Sequence, residues 1–289
     1  MNANSSTRPA KTQEDYHGGQ RAVGGISASN RERLQRLHQH GAPVDSATAA
    51  GLWETDIDAA RSLLGYLARQ GWLSRVRRGW YTPVPLESRE PGEWSEDSWI
   101  VAALAFAPCY IGGWSACEHW DLTEQIFREV LVVTARPIRS RHTDIQGIPV
   151  RLKSRKLDKM FGTRTVWRST VRVEVSDPSR TVVDILDDPQ MGGGIRQVAA
   201  MVGEYFATEH RDDELVAQYA DRLGNRTVFK RLGYILESLS IDAPRLLAVC
   251  RDQRSKGLTM LDPSAAAGGP IVRRWGLRVN VELRAEDKT

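Results

Sequence analysis

The chain has 289 residues, a soft expectation of two domains, and its 41% hydrophobic and 26% charged residues are those of an ordinary globular protein. A net charge of +4 permits an anionic partner without demanding one. Three cysteines (Cys109, Cys117 and Cys250) exclude a disulfide framework and fit a reducing compartment. The longest apolar run, residues 99–106, is too short to span a bilayer. The chain opens with no apolar core of the signal-peptide kind, so a cytoplasmic location and no membrane partner are expected.

Residues 1–28 are polar, glycine-spotted and aperiodic, so a disordered or extended arm is expected there, carrying Arg8, Lys11 and Arg21. Ser29 or Asn30 can cap a first helix that turns Leu34 and Leu37 inward. Gly41-Ala42-Pro43-Val44 breaks that helix and can pair as a short strand with a later hairpin. Asp45 or Ser46 caps a second helix over residues 47–52, and Trp53-Glu54 makes the turn. In the third helix Ile57, Ala60, Leu64 and Leu67 recur at steps of three and four and form one apolar stripe. Asp58, Ser62, Gly65, Tyr66 and Arg69 fall opposite. Thr55 stands at the N-cap position and Gly71 at C′. Residues 72–81 then alternate and reverse near Gly79, so Leu73, Val76 and Tyr81 face a core while Arg75, Arg77 and Arg78 face out.

Three helices followed by a basic hairpin is the order of parts in a winged helix-turn-helix. Three arginines in four positions repel one another unless something negative is near. Helix 56–70 is then the element that enters the major groove. Ser62, Tyr66 and Arg69 are its candidates for base or backbone contact, Arg61 flanks them, and Arg75, Arg77 and Arg78 grip phosphate or the minor groove. A small helical domain with a solvated basic hairpin would carry the same stripes.

Residues 83–94 hold three prolines and a glycine and read as a linker, with a domain boundary near residue 90. A helix capped by Ser95 runs from Glu96 to Phe106, and a shorter one follows near residues 115–120. Strand-like runs cover residues 129–134, 148–153, 165–167 and 171–176. Asp177-Pro178 starts a helix, with proline at its first position. Further helices are expected over residues 195–206, 213–223, 226–239 and 244–253, and alternation over 277–283 predicts one late strand rejoining the sheet. Strands followed by helices imply an α+β fold.

Between Arg136 and Arg172 there are eleven basic residues against Asp144 and Asp158, a local surplus of 11 − 2 = +9. Arg151, Lys153, Arg155, Lys156, Lys159, Arg164 and Arg168 are candidates for a second basic surface. It could meet nucleic acid, receive an acidic protein, or be a solvated sheet face.

Little in the chain points to catalysis. Gly192-Gly193-Gly194 precedes a helix but no Gly-Lys-Ser/Thr follows. Cys109, Cys117 and His119 lack a second ligand pair, and a buried thiol is the commoner fate. Arg180 and Asp184 have the spacing of an ordinary helix ion pair. A non-enzyme without metal or cofactor is expected. The rival enzymatic reading is a metal-dependent nuclease using Glu174, Asp177 or Asp184.

Residues 69–81, Arg-Gln-Gly-Trp-Leu-Ser-Arg-Val-Arg-Arg-Gly-Trp-Tyr, resemble the G-x-L-x-R-V-R-R-G-x-Y hairpin of AbiEi-type antitoxins. Gly113-Trp114-Ser115-Ala116, Leu122-Thr123-Glu124-Gln125, Asp177-Pro178-Ser179-Arg180-Thr181, Gly192-Gly193-Gly194 and Lys230-Arg231-Leu232-Gly233-Tyr234 follow in the order of that family, so the resemblance spans roughly residues 30–265. It implies a winged-helix DNA-binding domain over residues 29–88 and an antitoxin domain over 89–289. It also implies repression of the chain's own operon through inverted repeats in double-stranded DNA, and a nucleotidyltransferase toxin as partner. The long N-terminal arm departs from the short starts of the family. The alternative is a module that neutralises the toxin directly through the basic C-terminal domain, with little role for DNA.

Overall fold

The computed structural model describes residues 26–84, 97–145 and 147–283. The expected arm, the linker from residue 85 and the helix start at Ser95-Glu96 therefore lie mostly outside the described residues. Within them the chain is a mixed α+β fold.

The first part comprises α1 (Ala28–His40), α2 (Ser46–Trp53), α3 (Ile57–Arg69), β1 (Leu73–Arg77) and β2 (Trp80–Pro83). Ser27, not Ser29 or Asn30, caps α1 by accepting from the Asn30 N–H. Asp45 caps α2 through the Thr48 N–H at 2.8 Å, and Glu54 closes it in the left-handed region at φ 53°. The cap of α3 is Asp56, whose carboxylate accepts from the N–H groups of Asp58 and Ala59 at 3.0 and 2.8 Å. Thr55 is one residue too early, and a carboxylate is the better partner for a helix N-terminus. Leu34, Leu37, Val44, Trp53, Ala60, Leu64, Leu67, Leu73 and Tyr81 form one buried core. Ile57 is the exception in the expected stripe, at 48% exposure in the first turn of α3, outside that core. Val44 pairs with Tyr81 as an isolated antiparallel bridge, so residues before α2 do join the hairpin. Each fully buried leucine here contributes about 1.5–3 kcal/mol.

In the larger part, α4 (Ser98–Phe106), capped by Asp97, leads to β3 (Cys109–Ile111) and α5 (Gly113–His119). Then come β4 (Val130–Thr134), β5 (His142–Ile145), β6 (Ile148–Ser154), β7 (Thr163–Arg168) and β8 (Val171–Ser176). The strands form one six-stranded sheet in the order β5-β6-β4-β3-β8-β7. β4–β6 and β3–β8 are parallel pairs and the rest are antiparallel. β4 is buried at every position because both its faces are covered, which explains its unbroken Val-Leu-Val-Val run. Val130 and Val132 meet Trp99 of α4, while Leu131 and Val133 join the core on the opposite face.

That opposite face carries α6 (Pro178–Asp187), α7 (Ile195–Ala207), α8 (Asp213–Leu223), α9 (Thr227–Ser238) and α10 (Pro244–Gln253). The expected late strand does not rejoin the sheet. Only Leu277–Arg278 is extended, as β11, pairing with β9 (Thr259–Met260) and β10 (Ile271–Val272) in a separate three-stranded sheet. Its seat is the Lys230-Arg231-Leu232-Gly233 run of α9. The Lys230 ammonium donates to the carbonyls of Gly257 and Gly276, and Gly233 leaves room for the buried Trp275 ring. Alternation reported that the tail is partly buried, but a two-residue strand is all that the flanking turns allow.

Candidate nucleic-acid interface

The face of α3 opposite its core stripe is open. Arg61, Ser62, Tyr66 and Arg69 are all exposed, Tyr66 at 43%. The helix is amphipathic for a physical reason: Ala60, Leu64 and Leu67 have no exposure, and the residues one or two positions away rotate outward. The N-terminal end is acidic. Arg61 donates to Asp58 at 2.5 Å, so its charge is largely answered within the helix. The C-terminal end, with Arg69, is the basic end.

β1 packs against α3, and its hairpin carries two more exposed cations. Arg75 and Arg78 are exposed, and Gly79 at φ 82° reverses the chain beside them. Arg75 lies 5.8 Å from the Tyr81 ring centre. Arg77 does not face out with them. The pairing of β1 with β2 slips between Arg75 and Arg77, a bulge that turns Arg77 into a half-buried site over the Trp80 ring at 5.1 Å. Burial and then the Arg136 charge hold its pKa below the ordinary arginine value, against Asp45. The sequence leads one to expect three outward arginines, and the structure leaves two exposed.

The second set of basic residues is answered from outside its own stretch. Arg155 is 9% exposed and pairs with Asp184 at 3.1 Å and Asp187 at 2.8 Å, so it is no part of a surface. Lys153 pairs with Asp188 at 2.5 Å. Lys159 donates to the Arg222 carbonyl, and Arg151 reaches Gln190 and the Trp114 ring. Arg164 stacks toward Trp120 at 5.6 Å, and Arg168 toward Trp99 at 4.2 Å with Asp97 at 3.8 Å. Lys156 is exposed. The local surplus of +9 overstates the field, because Asp184, Asp187 and Asp188 lie just beyond the counted stretch and fold back onto it.

Arg180 and Asp184 are more than an ordinary surface pair, since both are fully buried. Tyr110 Oη donates to Asp184 at 2.8 Å, Arg180 Nε donates to its other oxygen at 3.1 Å, and Arg180 Nη2 reaches Tyr110 Oη at 3.2 Å. Burial, then the Asp184 charge, pushes the Tyr110 phenol well above its usual range. Burial works to raise the Asp187 carboxyl, but Arg155 and Asn225 together pull it below the ordinary value.

The nuclease candidates are also engaged. Glu174 accepts from Thr163 and Thr165, and Asp177 caps α6 and accepts from Tyr219. Among the described residues no group of three or more His, Cys, Asp or Glu side chains could hold a metal ion. The Gly192-Gly193-Gly194 loop leads into α7, whose Ile195 N–H donates to Asp262 at 2.9 Å, so the chain's own carboxylate sits at that helix start. Cys117 is buried, and desolvation raises its thiol far above a reactive range.

No protein-family model and no curated protein matches the chain. A solved structure does. The crystal structure of the RV2827C protein from Mycobacterium tuberculosis is similar to it, with a TM-score of 0.60 over 86% of this chain and 90% of that one. At 15% identity this likeness shows the fold alone. No helix among the described residues is long and apolar enough to cross a membrane.

Proposed function

We propose that the chain is a sequence-specific DNA-binding repressor of the AbiEi antitoxin type. In this reading residues up to about 88 hold a winged helix-turn-helix, and the larger α+β part is the antitoxin domain. α3 is the recognition helix and β1–β2 the wing. One observation carries the reading: α3 buries Ala60, Leu64 and Leu67 on one side and leaves Ser62, Tyr66 and Arg69 open on the other, with Arg75 and Arg78 of the packed hairpin also open. A helix of that shape fits a major groove, and the cations beside it supply phosphate contacts that fix its register. Inverted-repeat operators need paired readers, so two chains bind one operator.

The rival role, toxin neutralisation through the basic second part alone, is weakened by the pairing of Lys153 and Arg155 with acids of α6 and the loop after it. The test is a mobility shift on the DNA upstream of the chain's own gene, titrated with salt, beside co-purification with the neighbouring gene product. A shift that fades with salt supports the repressor. Co-purification with no shift supports the rival. A nucleotidyltransferase-like neighbour is the expected toxin partner, and the cytoplasm the expected location.

A further inference from the structure

Residues 136–141 run alongside the end of β6 without completing a strand. The Leu152 N–H donates to the Arg141 carbonyl at 2.7 Å, and Ser154 Oγ donates to the Arg136 carbonyl at 3.1 Å. Ser140 Oγ donates to the His142 carbonyl at 2.6 Å. Between these ties the two segments part and leave a cleft of about 360 Å³, lined by Ile138, Arg139, Ser140, Arg141, Leu152 and Lys153 among others. A smaller recess adjoins it, sharing Arg141 and Lys153 and adding Arg151 and Asp188.

Arg139, Arg141 and Lys153 therefore line the cleft, and Arg151 lines the recess beside it. The acids in reach are committed. Asp188 is bonded to Lys153 at 2.5 Å and Glu129 to His142 at 3.3 Å. Among the described residues Arg139 and Arg141 are exposed and have no carboxylate within ion-pair distance. Counting Asp188 alone among the lining acids, the surplus is 4 − 1 = +3. Like charges held around a recess raise the local potential, and an anion relieves it. Serine hydroxyls lie at the rim, and Leu152 and Ile138 offer an apolar wall. The volume is that of a small-molecule site, which is typically about 300–1,000 Å³. Guanidinium groups suit phosphate oxygens because they donate in pairs.

We propose that this cleft binds a small ligand carrying a phosphate or diphosphate group, held by Arg139 and Arg141. The proposal does not depend on the DNA reading. A duplex needs a run of cations along its length, whereas Arg139 and Arg141 line one hollow.

Isothermal titration calorimetry of the full chain with pyrophosphate, and separately with ADP, tests it. Saturable binding of either probe is expected, with tighter binding of ADP if the apolar wall receives the nucleoside. Arg141→Ala and Arg139→Ala, both at exposed positions, are expected to weaken binding about tenfold, while Arg172→Ala on β8 leaves it unchanged. No saturable binding of either probe overturns the proposal, as does equal binding by wild type and Arg141→Ala. Displacement of pyrophosphate by a short DNA duplex, lost in Arg141→Ala, also overturns it by making the cleft part of a DNA surface. The DNA reading is judged separately, by whether the wild type shifts its upstream duplex.

Discussion

Arg155, just past the end of β6, and Asp184, in the middle of α6, meet at 3.1 Å with side chains 9% and 0% exposed. Asp184 also takes Arg180 and Tyr110, and Arg155 also takes Asp187, so five polar groups from three segments share one buried network. Breaking a buried pair from one side strands the other charge.

Arg155→Ala is therefore expected to lower stability by about 3–5 kcal/mol. Urea unfolding followed by circular dichroism measures it. DNA binding by the folded fraction should keep its salt dependence. A stable variant with a flatter salt dependence would return Arg155 to a DNA-contacting surface.

Asp187 gives the network a pH dependence. Its folded pKa lies below the unfolded one, so its contribution is fully present above the unfolded value, about 3.9, and is lost as the pH falls through the folded value. Urea midpoints of wild type and Asp187→Asn should differ most near neutral pH and converge in acid. A difference that grows in acid would reverse the sign and exclude this assignment.

Gly233 of α9 faces the buried Trp275 ring so closely that a Cβ would overlap it. Gly233→Ala is expected to destabilise by about 1–3 kcal/mol through overpacking. Thermal melts of this variant, of Trp275→Leu and of the double variant check it. The Gly233→Ala loss should be smaller in the Trp275→Leu background than in wild type if the ring is the obstacle.

The bulge in β1 separates the arginines of the hairpin. Arg75→Ala and Arg78→Ala should each flatten the dependence of DNA affinity on salt by about one unit, as expected for a lost phosphate contact. Arg77→Ala should leave that slope close to the wild-type value, because its guanidinium lies over Trp80. Equal flattening by all three would mean that Arg77 swings outward on binding.

Much of this architecture was legible from pattern. Asp213–Leu223 and Pro244–Gln253 begin and end where caps and proline put them, β4 and β8 are valine-rich runs of ordinary length, and β6 alternates Val150 and Leu152 with polar residues. β3 and β5 were not legible. Cys109–Ile111 is three residues beside a proline, and His142–Ile145 is a partly exposed edge strand without apolar alternation. The candidate interface was legible in α3, where one period dominates, and misleading in the hairpin, where one extra residue turned Arg77. The charge count failed for a different reason. It summed neighbours along the chain, whereas Lys153 and Arg155 meet their acids across more than thirty positions. Several motifs behind the family resemblance also have structural uses here. Asp177-Pro178 starts α6, Ser179 bonds Tyr205, and Ser115 Oγ accepts from the Leu131 N–H.

The central claim is that the open side of α3 reads DNA sequence. Fluorescence anisotropy with the upstream duplex and a scrambled duplex, for wild type, Tyr66→Ala and Arg69→Ala, tests it most directly. Wild type should prefer the upstream duplex, and at least one of the two variants should lose about 1–3 kcal/mol of that preference while keeping non-specific binding. Equal binding of both duplexes by wild type, or an unchanged preference in both variants, would contradict it.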